Sequence, residues 1–212
     1  MTRGGNLRAA PASEGGQGKL AAARQDRARA FFALWPDAPA AEALERHAIR
    51  LSREVDGRCM RPETLHLTLA FLGDLPEARL ASLVAAPPPA FVPAFPLCLD
   101  RVGVWPHNGI GWAAPTVPPS PLLEFQRSLA GWLRERGFDP DPRPFRPHVT
   151  LVRHAARSRE GVGIAPVEWT ARAFVLVRSR RGPTGAAYLT LSRVDLPVAG
   201  PDRPSKQAGG DS

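Results

Sequence analysis

Two short segments of the chain repeat a histidine and a threonine separated by one residue. Residues 61–69 read RPETLHLTL and residues 144–151 read PFRPHVTL. Both segments are predicted to form β-strands, in which successive side chains alternate between the two faces of the sheet. His66 then shares a face with the threonine two residues later, and His148 does the same in the second segment. Each strand therefore buries its apolar side chains and offers an imidazole beside a hydroxyl.

This combination of side chains suits acid–base chemistry at phosphorus. An imidazole titrates near neutrality, so His66 and His148 can act as acid and base at the same pH. The hydroxyls of Thr68 and Thr150 can donate hydrogen bonds to phosphate oxygens, and a nearby cation would neutralise charge in the transition state. If two related halves of the chain each supply one strand, the two pairs face each other across a groove. The repetition favours this interpretation over that of two separate structural histidines.

A zinc site is the alternative use of the same histidines. His66, His148 and His154 could bind zinc together through their ring nitrogens. The sequence around them does not place aspartate, glutamate or cysteine at the spacing of a ligand set. A metal site is therefore disfavoured, and no cofactor is predicted.

The composition is typical of a globular protein and excludes several classes. The chain has 212 residues, a formal net charge of +8, 43% hydrophobic residues and 23% charged residues. Half of the net charge lies in residues 1–30, so charge alone does not indicate nucleic-acid binding. Cys59 and Cys98 are too few for a disulfide scaffold or a four-thiolate metal site.

No segment is predicted to cross a membrane. The longest uncharged run, Leu80 to Leu99, holds five prolines, which a membrane-spanning helix would not tolerate. Arg3 and Arg8 near the N-terminus are not followed by the apolar core of a secretory signal. We therefore expect a cytoplasmic protein, with a monomer as the default state.

The periodicity of apolar residues divides the chain into a folded region and two tails. Residues 1–28 and 199–212 hold too few large apolar side chains to fold and are expected to be disordered, which leaves 29–198 as the domain. The predicted strands are 29–35, 65–72, 95–104, 109–114, 148–152, 173–178 and 187–194, and the predicted helices are 38–55, 76–85 and 120–136. Short connections between these elements favour an α+β fold with antiparallel sheets. Ser120 is expected to cap the last helix, whose apolar stripe consists of Leu122, Phe125, Leu129 and Trp132.

The two histidine motifs and their surroundings resemble the 2H phosphoesterase superfamily, and within it the bacterial RNA 2′,3′-cyclic phosphodiesterases, also called 2′-5′ RNA ligases. The resemblance covers most of residues 29–196 and includes RAFFALWP, RPETLHLTLAFLGDL, the segment from Trp105 to Trp112, and FRPHVTLVR. It implies a bilobal α+β fold in which two antiparallel sheets line a central groove, with helices outside and a pseudo-two-fold repeat. It also implies metal-independent hydrolysis of a 2′,3′-cyclic phosphate at an RNA or nucleotide end to a 2′-phosphate.

The same resemblance implies roles for the repeated residues. His66 is expected to be the general acid that protonates the leaving 3′-oxygen, and His148 the general base that activates water. The pseudo-symmetry of the two halves leaves the reverse assignment open. Thr68 and Thr150 are expected to bind the phosphate oxygens.

Arg153 stands where the family carries an arginine that contacts phosphate. An ideal strand would point Arg153 away from the face that carries His148. We therefore expect the strand to end or bulge after Leu151, or the long side chain to curl back. Arg143 and Arg146 precede the motif and could guide an RNA backbone, although a solvated surface position is favoured for both.

Other functions and contacts stay open at this level. Phe71, Trp105 and Trp112 could stack a base, although such residues in apolar strands more often lie in the core. The same site could act on 2′-5′ oligonucleotides or a small cyclic phosphate, or join RNA ends through a 2′-5′ bond. A binding module for RNA with little turnover is a further alternative, but binding alone does not require two titrating groups.

Overall fold

The computed structural model describes residues 27–182 and 185–198. The tail predicted over residues 199–212 lies outside the described part, and so does the tail predicted over residues 1–28, except for its last two residues. These two residues belong to the first strand.

The described part of the chain contains nine strands, three α-helices and a short 3₁₀ helix at Pro62–Thr64. The strands are β1 (Arg27–Leu34), β2 (Arg58–Cys59), β3 (Leu67–Pro76), β4 (Phe95–Trp105), β5 (Ile110–Ala114), β6 (Val149–Arg153), β7 (Val162–Ala171), β8 (Ala173–Gly182) and β9 (Gly185–Asp195). The helices are α1 (Ala38–Val55), α2 (Glu77–Ala85) and α3 (Ser120–Glu135). Strand β1 begins two residues before its predicted start because Arg27 pairs with Pro76 at the end of β3.

All the described strand pairs are antiparallel, which confirms the predicted α+β fold with an antiparallel sheet. The strands follow the order β7-β4-β5-β6-β3-β1-β8-β9, and β2 pairs with β6. Between β3 and β6, the described ladder consists of one residue pair, Leu67 opposite Val149. The eight strands of this path thus form two four-stranded halves that meet at one rung, and β2 lies beside β6 as the ninth strand. Their description as two lobes related by a pseudo-two-fold axis stays a prediction.

Strand β7 was not predicted from the sequence. It lies at one edge of the sheet and pairs with β4, with a register shift near Arg101. Its sequence VGIAPVEWTA contains Pro166, which lacks a backbone donor and therefore argues against a central strand. An edge strand tolerates proline because one side of its backbone is left unpaired.

The helices bury one face each against the sheet. Helix α1 has the predicted bounds, and the Asp37 side chain caps it by accepting a hydrogen bond of 3.0 Å from the Ala40 backbone N–H. On α3, the ring of Phe125 packs edge-on against Phe174 of β8 with centroids 4.9 Å apart. No helix in residues 27–182 or 185–198 is long and apolar enough to cross a membrane.

The start of α3 differs from the prediction. Ser120 is the first helical residue rather than the cap, and Pro119 occupies the cap position without a side-chain hydrogen bond. Pro119 compensates through its backbone, because its carbonyl oxygen accepts the N–H of Leu122 at 3.0 Å. Trp132 is only half-buried, and the Arg136 guanidinium lies 4.0 Å from the centre of its ring.

Strand β1 separates two apolar clusters. Its even-numbered side chains, such as Phe32, join the main core beneath the helices. Its odd-numbered side chains Phe31 and Ala33 form a second cluster with Val177 on the opposite face. Trp35, Phe71, Val175 and Tyr188 are half-buried around this second cluster. The helix-free face of this half of the sheet is therefore apolar near the position of His66.

Candidate active site

His66 and His148 each lie one residue before a central strand. His66 precedes β3 and His148 precedes β6, so each is followed at once by a residue of the pair Leu67–Val149. In an antiparallel ladder, extending this register by one residue places His66 opposite Thr150, and His148 opposite the other threonine. Leu67 and Val149 are fully buried, whereas both histidines are half-buried on the other face. The structure thus brings the two predicted pairs together at the rung that joins the halves.

The two imidazole rings are held in the same way. The Nδ1 of His66 lies 2.7 Å from the Thr64 carbonyl oxygen, and the Nδ1 of His148 lies 2.7 Å from the Arg146 carbonyl oxygen. A carbonyl oxygen only accepts, so each Nδ1 carries the hydrogen and donates it. The Nε2 atom of each ring is then the one that exchanges a proton. The 3₁₀ turn at Pro62–Thr64 presents the first of these carbonyls.

Burial and positive charge both disfavour protonation of these rings. The pKa of His66 is lowered from 6.5 to about 4, first by burial and then by the charges of His148 and Arg153, against the opposing hydrogen bond to Thr64. Burial also lowers the pKa of His148, with a smaller contribution from Arg153. An anion bound among these groups would offset both shifts, because negative charge favours the imidazolium form.

Aromatic rings surround His66. Its imidazole stacks on Phe31 with centroids 4.8 Å apart and on Trp35 with centroids 4.9 Å apart. Tyr188 of β9 meets the imidazole edge-on at 5.2 Å. These contacts restrict the ring and remove part of it from water. The sequence did not identify Tyr188 as a site residue, because strand pairing far along the chain brings it here.

Arg153 faces the same site because β6 contains a bulge. Opposite β5, Gly111 pairs with Val152 and Trp112 pairs with Thr150, so Leu151 is the extra residue. The bulge reverses the alternation after it and turns Arg153 toward the face of Thr150. A bulge was one of the three arrangements predicted for Arg153, beside an end of the strand and a side chain that curls back. Its charge affects both histidines and Tyr188.

The zinc alternative finds no support in the described residues. His154 is exposed and adopts a positive φ of 57°. Within residues 27–182 and 185–198, no group of three or more His, Cys, Asp and Glu side chains is arranged to hold a metal ion.

The aromatic residues considered for base stacking lie beside the site. Trp105 meets His148 edge-on with centroids 4.6 Å apart, and Trp112 pairs with Thr150 across the strands. Phe71 flanks the second apolar cluster. All three are half-buried, so none is fully enclosed in the core.

The two arginines before the second motif do not have the same environment. Arg143 forms a bidentate ion pair with Asp141, and this partner lowers the pKa of that carboxyl group. Arg146 is exposed and contributes its carbonyl oxygen to His148. Their role in guiding RNA stays a prediction.

The chain matches the family model of LigT-like phosphoesterases over residues 34–112 and 115–188, which is more than half of its length. This chain belongs to the LigT-like phosphoesterase family. The predicted resemblance to phosphoesterases with two histidine motifs is confirmed.

Characterised relatives of this phosphoesterase carry one common description. A protein from Escherichia coli named RNA 2′,3′-cyclic phosphodiesterase is 33% identical over 141 residues, which cover 65% of this chain and 77% of the relative. One of the same name from Thermus thermophilus is 32% identical over 155 residues, 64% of this chain and 73% of the relative. These names confirm the predicted enzyme class, a phosphodiesterase.

Solved structures agree with the phosphoesterase fold. The apo crystal structure of E. coli LigT superposes with a TM-score of 0.68 at 30% identity, covering 81% of this chain and 99% of that chain. E. coli LigT complexed with 3′-AMP gives a TM-score of 0.66 at 28% identity, covering 80% and 98%.

Proposed function

We propose that this phosphoesterase hydrolyses 2′,3′-cyclic phosphate ends of RNA or nucleotides to 2′-phosphates, with His66 and His148 as its acid–base pair. The observation that carries the proposal is the pair of opposed His-x-Thr segments on either side of the rung Leu67–Val149. Relatives named RNA 2′,3′-cyclic phosphodiesterase support the substrate, and a neighbour complexed with 3′-AMP supports a nucleotide-shaped site.

The reaction follows from the two Nε2 atoms. Nε2 of His148 accepts a proton from water, and the water oxygen forms a bond to phosphorus. The bond from phosphorus to the 3′-oxygen breaks, and Nε2 of His66 donates its proton to that oxygen. The product carries a 2′-phosphate and a free 3′-hydroxyl, and the two rings return to their starting states by exchanging protons with solvent. General acid–base catalysis of this kind typically accelerates a reaction by about 10²–10⁴-fold.

The bound substrate itself favours the protonated form of His66 that the acid step requires. With its pKa lowered to about 4, His66 is mostly neutral at pH 7 in the free protein. The negative charge of a bound cyclic phosphate favours the imidazolium and counteracts the burial that disfavours it. Arg153, Thr68 and Thr150 bind the phosphate oxygens and neutralise the charge that grows in the transition state.

The wider arrangement is proposed on the same basis. The halves β7-β4-β5-β6 and β3-β1-β8-β9 are two lobes lining a groove, related by a pseudo-two-fold axis through the rung Leu67–Val149. Four antiparallel strands in each half and the matching hydrogen bonds at both histidines support this symmetry. A monomer in the cytoplasm that uses no metal ion is the state in which we expect the enzyme to act.

The test is hydrolysis of adenosine 2′,3′-cyclic phosphate, and of a short RNA with the same end, in the presence of EDTA. We expect a 2′-phosphate product and a loss of turnover of about 10²–10⁴-fold in His66→Gln and His148→Gln. His107→Gln is the matched control, since His107 is exposed in the turn between β4 and β5. Turnover that EDTA abolishes, or that survives in both variants, would refute the mechanism.

A further inference from the structure

The face of β1 that carries Phe31 continues into a basic region. Arg29 lies two residues before Phe31, so its side chain leaves β1 on the same face. Its cross-strand neighbours are Ser179 of β8 and Asp74 of β3. The Arg29 guanidinium lies 4.5 Å from the centre of the Phe71 ring, above its face. We call Arg27, Arg29, Phe71 and Ser179 the β1 platform.

A cavity of about 540 Å³ opens at the platform. It is lined by Arg27, Ala28, Arg29, Asp74, Glu77, Arg178, Ser179 and Arg180. Arg178 forms an ion pair with Glu77, so the charges of these two side chains neutralise each other and are not available to a ligand in the cavity. The remaining arginines outnumber the remaining carboxylate three to one, so the cavity favours an anion. Arg29 is half-buried and forms no ion pair among the residues that the structure describes.

The β1 platform adjoins the proposed catalytic site without being part of it. Phe31 lies two residues along β1 from Arg29, a distance of about 7 Å. Its ring stacks directly on His66. The charge of Arg29 acts on Tyr188, whose ring also contacts His66. The charges that shift the pKa of His66 are those of His148 and Arg153, not that of Arg29. Arg29 is therefore placed for a group next to the reacting phosphate.

We propose that the β1 platform binds the RNA nucleotide that precedes the cyclic end, and thereby makes short RNA a better substrate than a cyclic mononucleotide. This inference rests on the proposed function and names the substrate class for it. A guanidinium stacked on an aromatic ring leaves its other face open to a base, and bases of single-stranded RNA stack on such planes. The N–H groups at the edge of the Arg29 guanidinium can donate hydrogen bonds to the phosphodiester that links the two nucleotides, and Arg27 and the Ser179 hydroxyl can do the same.

The experiment compares kcat/KM for adenosine 2′,3′-cyclic phosphate and for a pentanucleotide RNA with the same cyclic end. The wild-type enzyme is expected to prefer the RNA, and Arg29→Ala to reduce the ratio of the two kcat/KM values about tenfold, the loss of one charged hydrogen bond and stack. Arg29→Lys keeps the charge but not the planar stack and should give an intermediate ratio. Arg127→Ala, which removes an exposed arginine from α3, should leave the ratio unchanged.

A binding measurement separates this inference from the proposed function. Fluorescence anisotropy of a labelled pentanucleotide with a 2′-phosphate end requires no turnover. Removal of one phosphate contact should lower the slope of log K against log salt concentration by about 0.7. If the wild type hydrolyses neither substrate but Arg29→Ala lowers this slope, RNA binding at the β1 platform is supported and the proposed reaction is refuted. If wild type and Arg29→Ala share the same ratio and the same slope, the platform is refuted and the reaction can still stand.

Discussion

The stacked position of His66 predicts that this one residue makes the folded protein sensitive to acid. The unfolded chain protonates this histidine near its ordinary pKa of 6.5, whereas the folded protein does so only near pH 4. Between these values the unfolded state binds more protons, so the free energy of unfolding falls as the pH falls. The contribution is complete above pH 6.5 and is lost as the pH approaches 4.

The size of the effect follows from the same two values. At about 1.4 kcal/mol per pH unit, lowering the pKa from 6.5 to about 4 corresponds to about 3 kcal/mol. This is an upper bound, because part of the His66 ring reaches solvent. A loss of this size is a large fraction of the stability of a typical domain.

The perturbation is His66→Gln, which keeps a donor for the Thr64 carbonyl but does not titrate. Urea unfolding at intervals from pH 7.5 to 4 measures the free energy of unfolding of both proteins. The wild type should lose up to about 3 kcal/mol more than the variant across this range. The lowered pKa of His148 acts in both proteins and cancels in the comparison. His107→Gln, at an exposed position, should follow the wild type. Parallel curves for wild type and His66→Gln would refute the reasoning.

Three further predictions follow from the site and its supports. Because burial lowers the pKa of both proposed catalytic histidines, kcat/KM should reach its maximum below about pH 6.5 and decline as the pH rises further. A maximum at alkaline pH would contradict this assignment. Arg153→Ala should lower kcat/KM about 10²-fold, whereas Arg157→Ala, at an exposed position nearby, should have little effect. If the two variants have equal kcat/KM values, Arg153 does not bind the phosphate. Gly57→Ala should cost about 1–3 kcal/mol in a chemical unfolding experiment, because its Cβ would lie 2.4 Å from Cγ1 of Val152. Gly131→Ala is the matched control, since a Cβ there meets nothing within 4 Å. Replacing this glycine in a helix is expected to stabilise the protein by about 0.5–1 kcal/mol. Equal stability losses in the two variants would show that steric overlap at Gly57 is not the cause.

The parts of the fold that depend on local pattern could be predicted from the sequence. The alternation of apolar residues correctly assigned the buried face of the strand after His66, and the bounds of α1 came from its periodicity and from the residues that flank it. The start of α3 was wrong because Pro119 satisfies the first N–H groups through its backbone rather than Ser120 through a side chain.

The parts that depend on distant pairing could not be predicted. Strand β7 contains Pro166, which is acceptable because the strand lies at the sheet edge and because Pro166 falls within its register shift opposite β4. Tyr188 reaches His66 because β9 pairs with β8 and β8 with β1. The direction of Arg153 depends on a bulge opposite Gly111, which the periodicity of β6 alone leaves ambiguous.

The rung Leu67–Val149 also has a geometric consequence. The halves β7-β4-β5-β6 and β3-β1-β8-β9 share this one described backbone pair, so a rotation of one half against the other would turn about it. Displacement in a rotation grows with distance from the axis, and the two histidines are the immediate chain neighbours of the rung. Opening the far ends of the halves to admit a polymer would therefore change the spacing of the two Nε2 atoms very little.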